Sequence, residues 1–387
     1  MDRRSFIKNV ALTASSFLVF LDMTGCGSII RSDLGCIDKK DRLINILGFD
    51  KTDILCQASL APSSHNVQPW TVKITEPGKW MIGTERARWI PAVDPNGREM
   101  MISLGTFLQT LIIAAAGHGY KATYKIIGSS PNDTDIIELS LEKSNNVEAD
   151  FNSIKQRTTV RKGIENTCIR QEDIKYIFSN ENGFYDAGEQ VQNKTAQNTD
   201  YHYFTRQSAQ GKFLEEGTLE ANKYQVKRDD VQMELGKWKR WSHKDAKEYR
   251  TGLTPASLDI TGLADLFVRI FYNENTSLSE SFREKTIVNT IEQLASYSGW
   301  IVITTNSNSV EDLIFAGRKY QSMSLKVRGR NIAIHPMTQI IQEKNWNDKI
   351  AGELGVDGNV QFVVRTGYVR NYPEPVSIRM PVDWFAS

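Results

Sequence analysis

Apolar residues recur along the chain in two rhythms. Trp70, Val72 and Ile74 alternate with polar residues up to Glu76, which predicts a strand with one buried face. Residues 80–83 read as its hairpin partner, and residues 121–128 and 135–141 alternate in the same way. Residues 43–60 carry two short helical patterns. The second holds Ile54, Leu55, Ala58 and Leu60, with Asp53 placed to cap or start it and Pro62 to end it. Residues 101–116 are apolar around most of a helical circumference and long enough for a buried central helix. Further on, residues 301–305 form a β-branched run read as a buried strand, 310–328 a helix and 360–369 another strand. Helices and strands mixed in this way predict an α+β fold.

The two long helices echo each other. Gly105, Gln109 and Gly117 on the first match Gly317, Gln321 and Gly329 on the second at one offset (317 − 105 = 212), and Thr110/Ser322 and Leu111/Met323 pair under the same offset. This predicts an internal duplication, with a first unit over 43–150 and a second over 151–387. An unmatched stretch near 193–275 is polar, aromatic-rich and helical in pattern, with Trp238 and Trp241 among Lys237, Lys239, Arg240 and Lys244. It reads as a helix packing its tryptophans on the body, as a lid, or as a nucleic-acid surface. The charge balance weighs against the last. Lys+Arg 47 against Asp+Glu 46 leaves +1, and a nucleic-acid coat normally carries a basic excess. The 387 residues, 40% hydrophobic and 24% charged, fit a folded chain, and no uninterrupted apolar run of about 18 residues marks a polytopic membrane protein.

Four cysteines, Cys26, Cys36, Cys56 and Cys168, are too few and scattered for a disulfide scaffold. The first of them closes a segment of its own. Arg3-Arg4 followed by Phe6 and Lys8, then a short, weakly apolar stretch over 10–20, resembles a twin-arginine export signal. The alternative is an amphipathic first helix. Thr24-Gly25-Cys26 resembles a lipoprotein cleavage site, although Asp22 and Met23 depart from its apolar pattern; the alternative is an ordinary thiol. These residues predict a signal over 1–25, a tether over 26–42 and a mature chain of 387 − 25 = 362 residues. The chain would then be exported to the periplasm or cell envelope, with a possible lipid anchor at Cys26.

The densest chemical signal is Ala61-Pro62-Ser63-Ser64-His65-Asn66-Val67-Gln68-Pro69-Trp70. Two prolines fix a loop whose short polar side chains and backbone N–H groups can bind the edge of a flat heterocycle. A second signal, Arg157-Thr158-Thr159-Val160-Arg161, places two guanidinium forks around hydroxyl donors, a set suited to phosphate. No CxxC, HExxH, GxSxG or GxGxxG occurs, and His65, His118 and His335 are isolated, so no metal site and no side-chain catalytic group is assigned.

Together these runs resemble the FMN-dependent nitroreductase superfamily. The Pro62–Trp70 run is similar to its flavin loop, and Arg157–Arg161 to its Arg-x-Ser/Thr-x-basic signature. The order of the two fits the Acg-like branch, in which two nitroreductase-like halves form a pseudo-dimer in one chain. Arg88-Trp89-Ile90-Pro91, Asp94-Pro95, Arg98, Ile102–Gly105, Gly317-Arg318, His335-Pro336 and Gln339 resemble that branch too, and Ser377-Ile378-Arg379 resembles its basic tail. The resemblance implies that Ser63, Ser64 and Asn66 contact the isoalloxazine or ribityl part. It gives Arg157, Thr158, Thr159 and Arg161 to the phosphate side, and a phosphate contact to Arg379. Ser377 stands where many members have Lys. The loop lies in one half and the arginines in the other, so one FMN per chain is expected.

The function implied is two-electron hydride transfer through FMN to a flat acceptor such as a nitroaromatic or quinone, with NAD(P)H as a possible donor. The chain would act as a monomer built like an intramolecular dimer, without a nucleic-acid partner. The alternative is an FMN-sequestering flavoprotein with an occluding lid and little turnover.

Overall fold

The computed structural model describes residues 27–36, 42–144, 152–179, 188–190 and 199–387. The export signal and Cys26 lie outside the described residues, as do parts of the tether and of the middle stretch.

The chain opens with α1 (Arg42–Leu47) and α2 (Phe49–Ala58), then β1 (Trp70–Glu76), β2 (Lys79–Thr84), the long helix α3 (Arg98–Gly117), β3 (Tyr120–Ile126) and β4 (Ile137–Lys143). Short helices α4 (Asn152–Gln156) and α5 (Gln171–Phe178) and strands β5 (Gly188–Gln190) and β6 (Asp200–Thr205) follow. Five helices come next: α6 (Ala209–Lys227), α7 (Asp229–Lys237), α8 (His243–Tyr249), α9 (Gly262–Phe271) and α10 (Glu280–Ala295). The chain closes with β7 (Gly299–Thr305), α11 (Val310–Lys326), β8 (Ile332–Pro336), α12 (Gln339–Gln342), α13 (Lys344–Leu354) and β9 (Asn359–Tyr368).

Two sheets result, ordered β1-β2-β4-β3-β5 and β6-β7-β9-β8. Set β1, β2, β3 and β4 against β6, β7, β8 and β9, and the strand order is the same. Every corresponding pair is antiparallel. A long helix also sits at the same place in each, α3 between β2 and β3 and α11 between β7 and β8. The difference is at the first hairpin. β1 and β2 are joined by a tight turn, whereas β6 and β7 are separated by all five helices α6 to α10.

Helices α3 and α11 cross at the centre. A Cβ on Gly105 would lie 2.1 Å from the Ile314 carbonyl oxygen, and one on Gly317 would lie 2.0 Å from that of Ile102. Only glycine permits this backbone contact. Ile102 and Ile314 stand at the offset of the two glycines, so the contact is reciprocal about the crossing. Gln321 Nε2 donates to Thr110 Oγ1 at 2.9 Å and Arg318 Nε to Gln109 Oε1 at 2.8 Å, tying the helices further. Helix α3 is long and apolar enough to cross a bilayer, but it is buried inside the protein.

Three expectations change in detail. Asp53 neither caps nor starts α2. Gly48 is the N-cap, and Asp53 lies inside the helix, accepting from Gln57 Nε2 at 2.6 Å and sitting 2.8 Å from His118 Nε2. The stretch expected to be helical over 193–275 contains β6, the edge strand of the second sheet; it is helical only from Ala209, and the helices continue to Ala295. The boundary at 151 is crossed by the C-terminus, since Val72 N donates to Phe385 O and Ile74 N to Ser387 O, both at 2.7 Å. Val382 and Phe385 pack in the core of the first unit.

Candidate functional site

The loop after α2 is held in a conformation its residues do not favour. His65, Asn66 and Gln68 have φ of 48°, 54° and 52°, in the left-handed region that non-glycine residues rarely occupy. Such backbone persists only where its surroundings over-determine it. Here the side chains do so. Asn66 Nδ2 donates to Gly252 O at 2.9 Å and to Ile378 O at 3.1 Å, while its Oδ1 accepts from Arg379 Nη1 at 2.9 Å. Gln68 Nε2 donates to Arg250 O, and its Oε1 accepts from Met380 N, each at 2.9 Å. Ser63 Oγ accepts from Gln68 N at 2.9 Å. The loop is thereby bolted to the segment after α8 and to the C-terminal tail.

The arginine run follows α4. Val160 N donates to Ile334 O, which pins the run against β8. Arg157 is buried, and its Nε and Nη1 have no hydrogen-bond partner. Burial lowers its pKa. Arg161 donates to Ser257 O at 2.9 Å, and burial lowers its pKa too, opposed by nearby Asp259.

Both runs face one cavity of about 590 Å3. Its lining includes every residue singled out from the sequence: Ser63, Ser64 and Asn66 from the first unit, and Arg157, Thr158, Thr159, Arg161, Ser377 and Arg379 from the second. Asn222 and Gln225 of α6, Gln232 and Glu234 of α7 and the segment with Ser257, Asp259 and Thr261 line it too, so the inserted helices form part of its wall. Trp238 and Trp241 are buried away from the lining, Trp238 in the core of the first unit and Trp241 edge-on to Tyr272.

Two residues differ from the role the resemblance implied. Both polar atoms of the Asn66 side chain are engaged within the protein. Arg379 donates to Leu60 O at 3.1 Å and Ala61 O at 3.3 Å as well as to Asn66, leaving Nε without a partner. They position the loop. Ser64 donates to Glu99, a buried carboxylate that also accepts from Gln342 Nε2 at 2.5 Å.

Sequence reading assigned no role to several residues at or beside the wall. Arg31, in the stretch read as a tether, donates to Ser377 O at 3.3 Å and Lys155 O at 3.1 Å; burial and Arg157 bring its pKa down to about 9. Burial, then Arg31 and Arg157, hold that of Arg379 well below the usual range. Arg157, Arg161 and Arg379 thus line the cavity, with Arg31 behind Ser377 and close enough to Arg157 and Arg379 for the charges to interact. His335 also lines the cavity, and burial with Arg365 and Arg161 holds its imidazole well below the usual range, hence neutral. Burial raises Tyr320 to about 12, and its hydroxyl has no partner. Glu234 is pushed upward by burial. No sequence motif marks Arg31 or Glu234; Glu99 was legible only as the neighbour of Arg98. Among the described residues, no group of three or more His, Cys, Asp or Glu could hold a metal.

A cavity of this size with unpartnered buried cations in its wall suits an organic anion. No family model matches the chain. A curated relative does. The chain is similar to the protein named "Probable NAD(P)H nitroreductase PigM" of Serratia sp. (strain ATCC 39006). The two are 22% identical over 339 residues, covering 83% of this chain and 89% of the relative. The likeness extends over most of both chains. It supports a nitroreductase-like oxidoreductase with a mixed α+β fold.

Proposed function

We propose that the chain is a nitroreductase-like oxidoreductase that binds one FMN in this cavity. The observation that carries the reading is the buried Arg157 guanidinium with two unpartnered N–H groups. An uncompensated buried charge costs several kcal/mol, on the order of 3–5, and a bound phosphate removes that cost. Arg157, Thr158, Thr159 and Arg161 would hold the phosphate side, with Arg31 close by. Ser63 and Ser64 would meet the heterocyclic part, while Asn66, Gln68 and Arg379 keep their loop in shape. When bound, the flavin supplies two-electron exchange between a donor such as NAD(P)H and a flat acceptor such as a nitroaromatic or quinone. Glu234, whose protonated form burial favours, can hold a proton at the wall.

We propose further that the two halves are a duplicated nitroreductase-like unit of the Acg-like kind. Support comes from the matching strand orders, the shared offset of 212 and the reciprocal Gly105–Gly317 contact. The loop occurs only in the first half and the arginines only in the second, so one complete site results. Export by the twin-arginine route, with a lipid anchor at Cys26, remains our reading of the N-terminus. A disulfide between Cys36 and Cys56 supports it, because such bonds persist in oxidising compartments.

The test is a visible spectrum of the purified protein, with the flavin released by denaturation and identified. FMN at one per chain is expected. Arg157→Ala should lose flavin on extended dialysis; full retention would make the phosphate assignment wrong. Anaerobic NADPH should bleach the flavin bands. Bands that stay unchanged would instead point to another donor or to sequestration.

A further inference from the structure

Helix α9 is built inside out. Asp265, buried, and Arg269, mostly buried, face the protein as an ion pair at 3.1 Å, with Val268 buried beside them. Leu263, Phe267, Ile270 and Phe271 face outward, at 85%, 53%, 57% and 64% exposure. Their spacing places them on one helical stripe, and the Phe267 and Phe271 rings lie 4.7 Å apart. A helix packed on a soluble body carries its polar residues outward. An outward apolar stripe of four large side chains marks a surface made to be covered.

The segment with Gly27 and Ser28 packs against this helix. Ser28 Oγ donates to Asp265 on α9 itself, and the Gly27 carbonyl and Arg269 Nη1 each lie 2.9 Å from Nε2 of His243. Residues 1–26 precede this segment in the chain. They include Arg3, Arg4, Lys8, the apolar stretch over 10–20 and Cys26. Anything that holds that segment to a membrane holds α9 against the same membrane.

We propose that α9 is a membrane-docking helix whose Leu263, Phe267, Ile270 and Phe271 side chains enter the lipid–water interface. A short amphipathic helix lying in the interface plane binds through buried apolar area, so it does not depend on an acyl chain. Asp259 and Thr261, just before α9, line the cavity, so docking brings the cavity rim to the bilayer surface. The proposal does not depend on the flavin reading.

The experiment is flotation of the full chain carrying Cys26→Ser, which removes the acylation site, with vesicles of phosphatidylethanolamine and a minority of phosphatidylglycerol. The protein is expected to float. Adding Phe267→Asp and Phe271→Asp should weaken binding about 100-fold, with the circular dichroism spectrum and melting temperature unchanged because both positions are exposed. Failure of the Cys26→Ser chain to float overturns the proposal. So does flotation that survives the double substitution, which would assign binding to the stretch over 10–20. A concentration-dependent dimer abolished by the same substitutions, with no flotation, would assign the stripe to a second copy of the chain.

Discussion

Arg379 Nη1 donates to Asn66 Oδ1 at 2.9 Å, joining the C-terminal tail to the strained loop of the first unit across 313 positions. The same guanidinium caps the carbonyls of Leu60 and Ala61. Replacing it by Met leaves these buried acceptors unpaired, at about 1–3 kcal/mol for each group left without a partner. We expect Arg379→Met to lower the urea midpoint markedly and Arg379→Lys to recover little of it, because an ammonium lacks the planar fork. An unchanged midpoint in Arg379→Met would show that the loop holds its shape without the clamp.

The crossing of α3 and α11 makes a paired prediction. At Gly105 a Cβ meets the backbone of Ile314 at 2.1 Å, and a backbone cannot move aside as a side chain can. Gly105→Ala should cost about 1–3 kcal/mol or more. In α13, a Cβ on Gly352 meets nothing within 4 Å, so Gly352→Ala should stabilise by about 0.5–1 kcal/mol. Thermal melts of the two variants should shift in opposite directions.

Arg31 carries effects of opposite sign on the empty and loaded protein. Its pKa is brought down to about 9 by burial and by Arg157, so without an anion it opposes folding. A phosphate bound beside Arg157 would offset the repulsion between the two guanidinium groups. Arg31→Ala should therefore raise the melting temperature of flavin-free protein and weaken flavin binding about tenfold or more. Reducing the Cys36–Cys56 bond, which ties residues 27–36 to α2, should speed flavin release in the same direction. Equal effects on loaded and empty protein would argue against Arg31 acting at the anion.

Lys239 gives a pH dependence. Burial alone lowers its pKa from 10.5 to about 7, with Nζ donating to Ser277 Oγ at 3.1 Å and lying 3.7 Å from the Phe282 ring centre. Between these values the unfolded chain holds a proton that the folded one does not. Stability from this group is thus fully present above pH 10.5 and is lost as pH falls through about 7. Lys239→Met should remove that slope and raise the melting temperature at neutral pH more than at pH 10. A parallel pH profile in the variant would rule out this lysine as its source.

Much of this was legible in the sequence because local pattern and burial agree. Trp70, Val72 and Ile74 alternate, and they form β1; 101–116 is apolar all round, and α3 is buried all round. The loop and the arginine run were legible as chemistry because each is a compact run of unusual residues. What escaped depends on long-range contact. Nothing local says that Arg31 reaches Ser377, that the residues after Pro381 return to β1, or that Asn66 turns its amide to Gly252 and Ile378. The strand β6 was missed because it opens a segment whose helices dominate its composition.

The contact between Gly105 and Gly317 also bears on how such a site can change over generations. In an assembly of two identical chains, one codon specifies both sides of a central contact, so each substitution arrives twice. Here the two sides are separate codons. A change tolerated at Ile102 need not be tolerable at Ile314, and the wall that carries the loop can drift while the wall that carries the arginine run stays fixed.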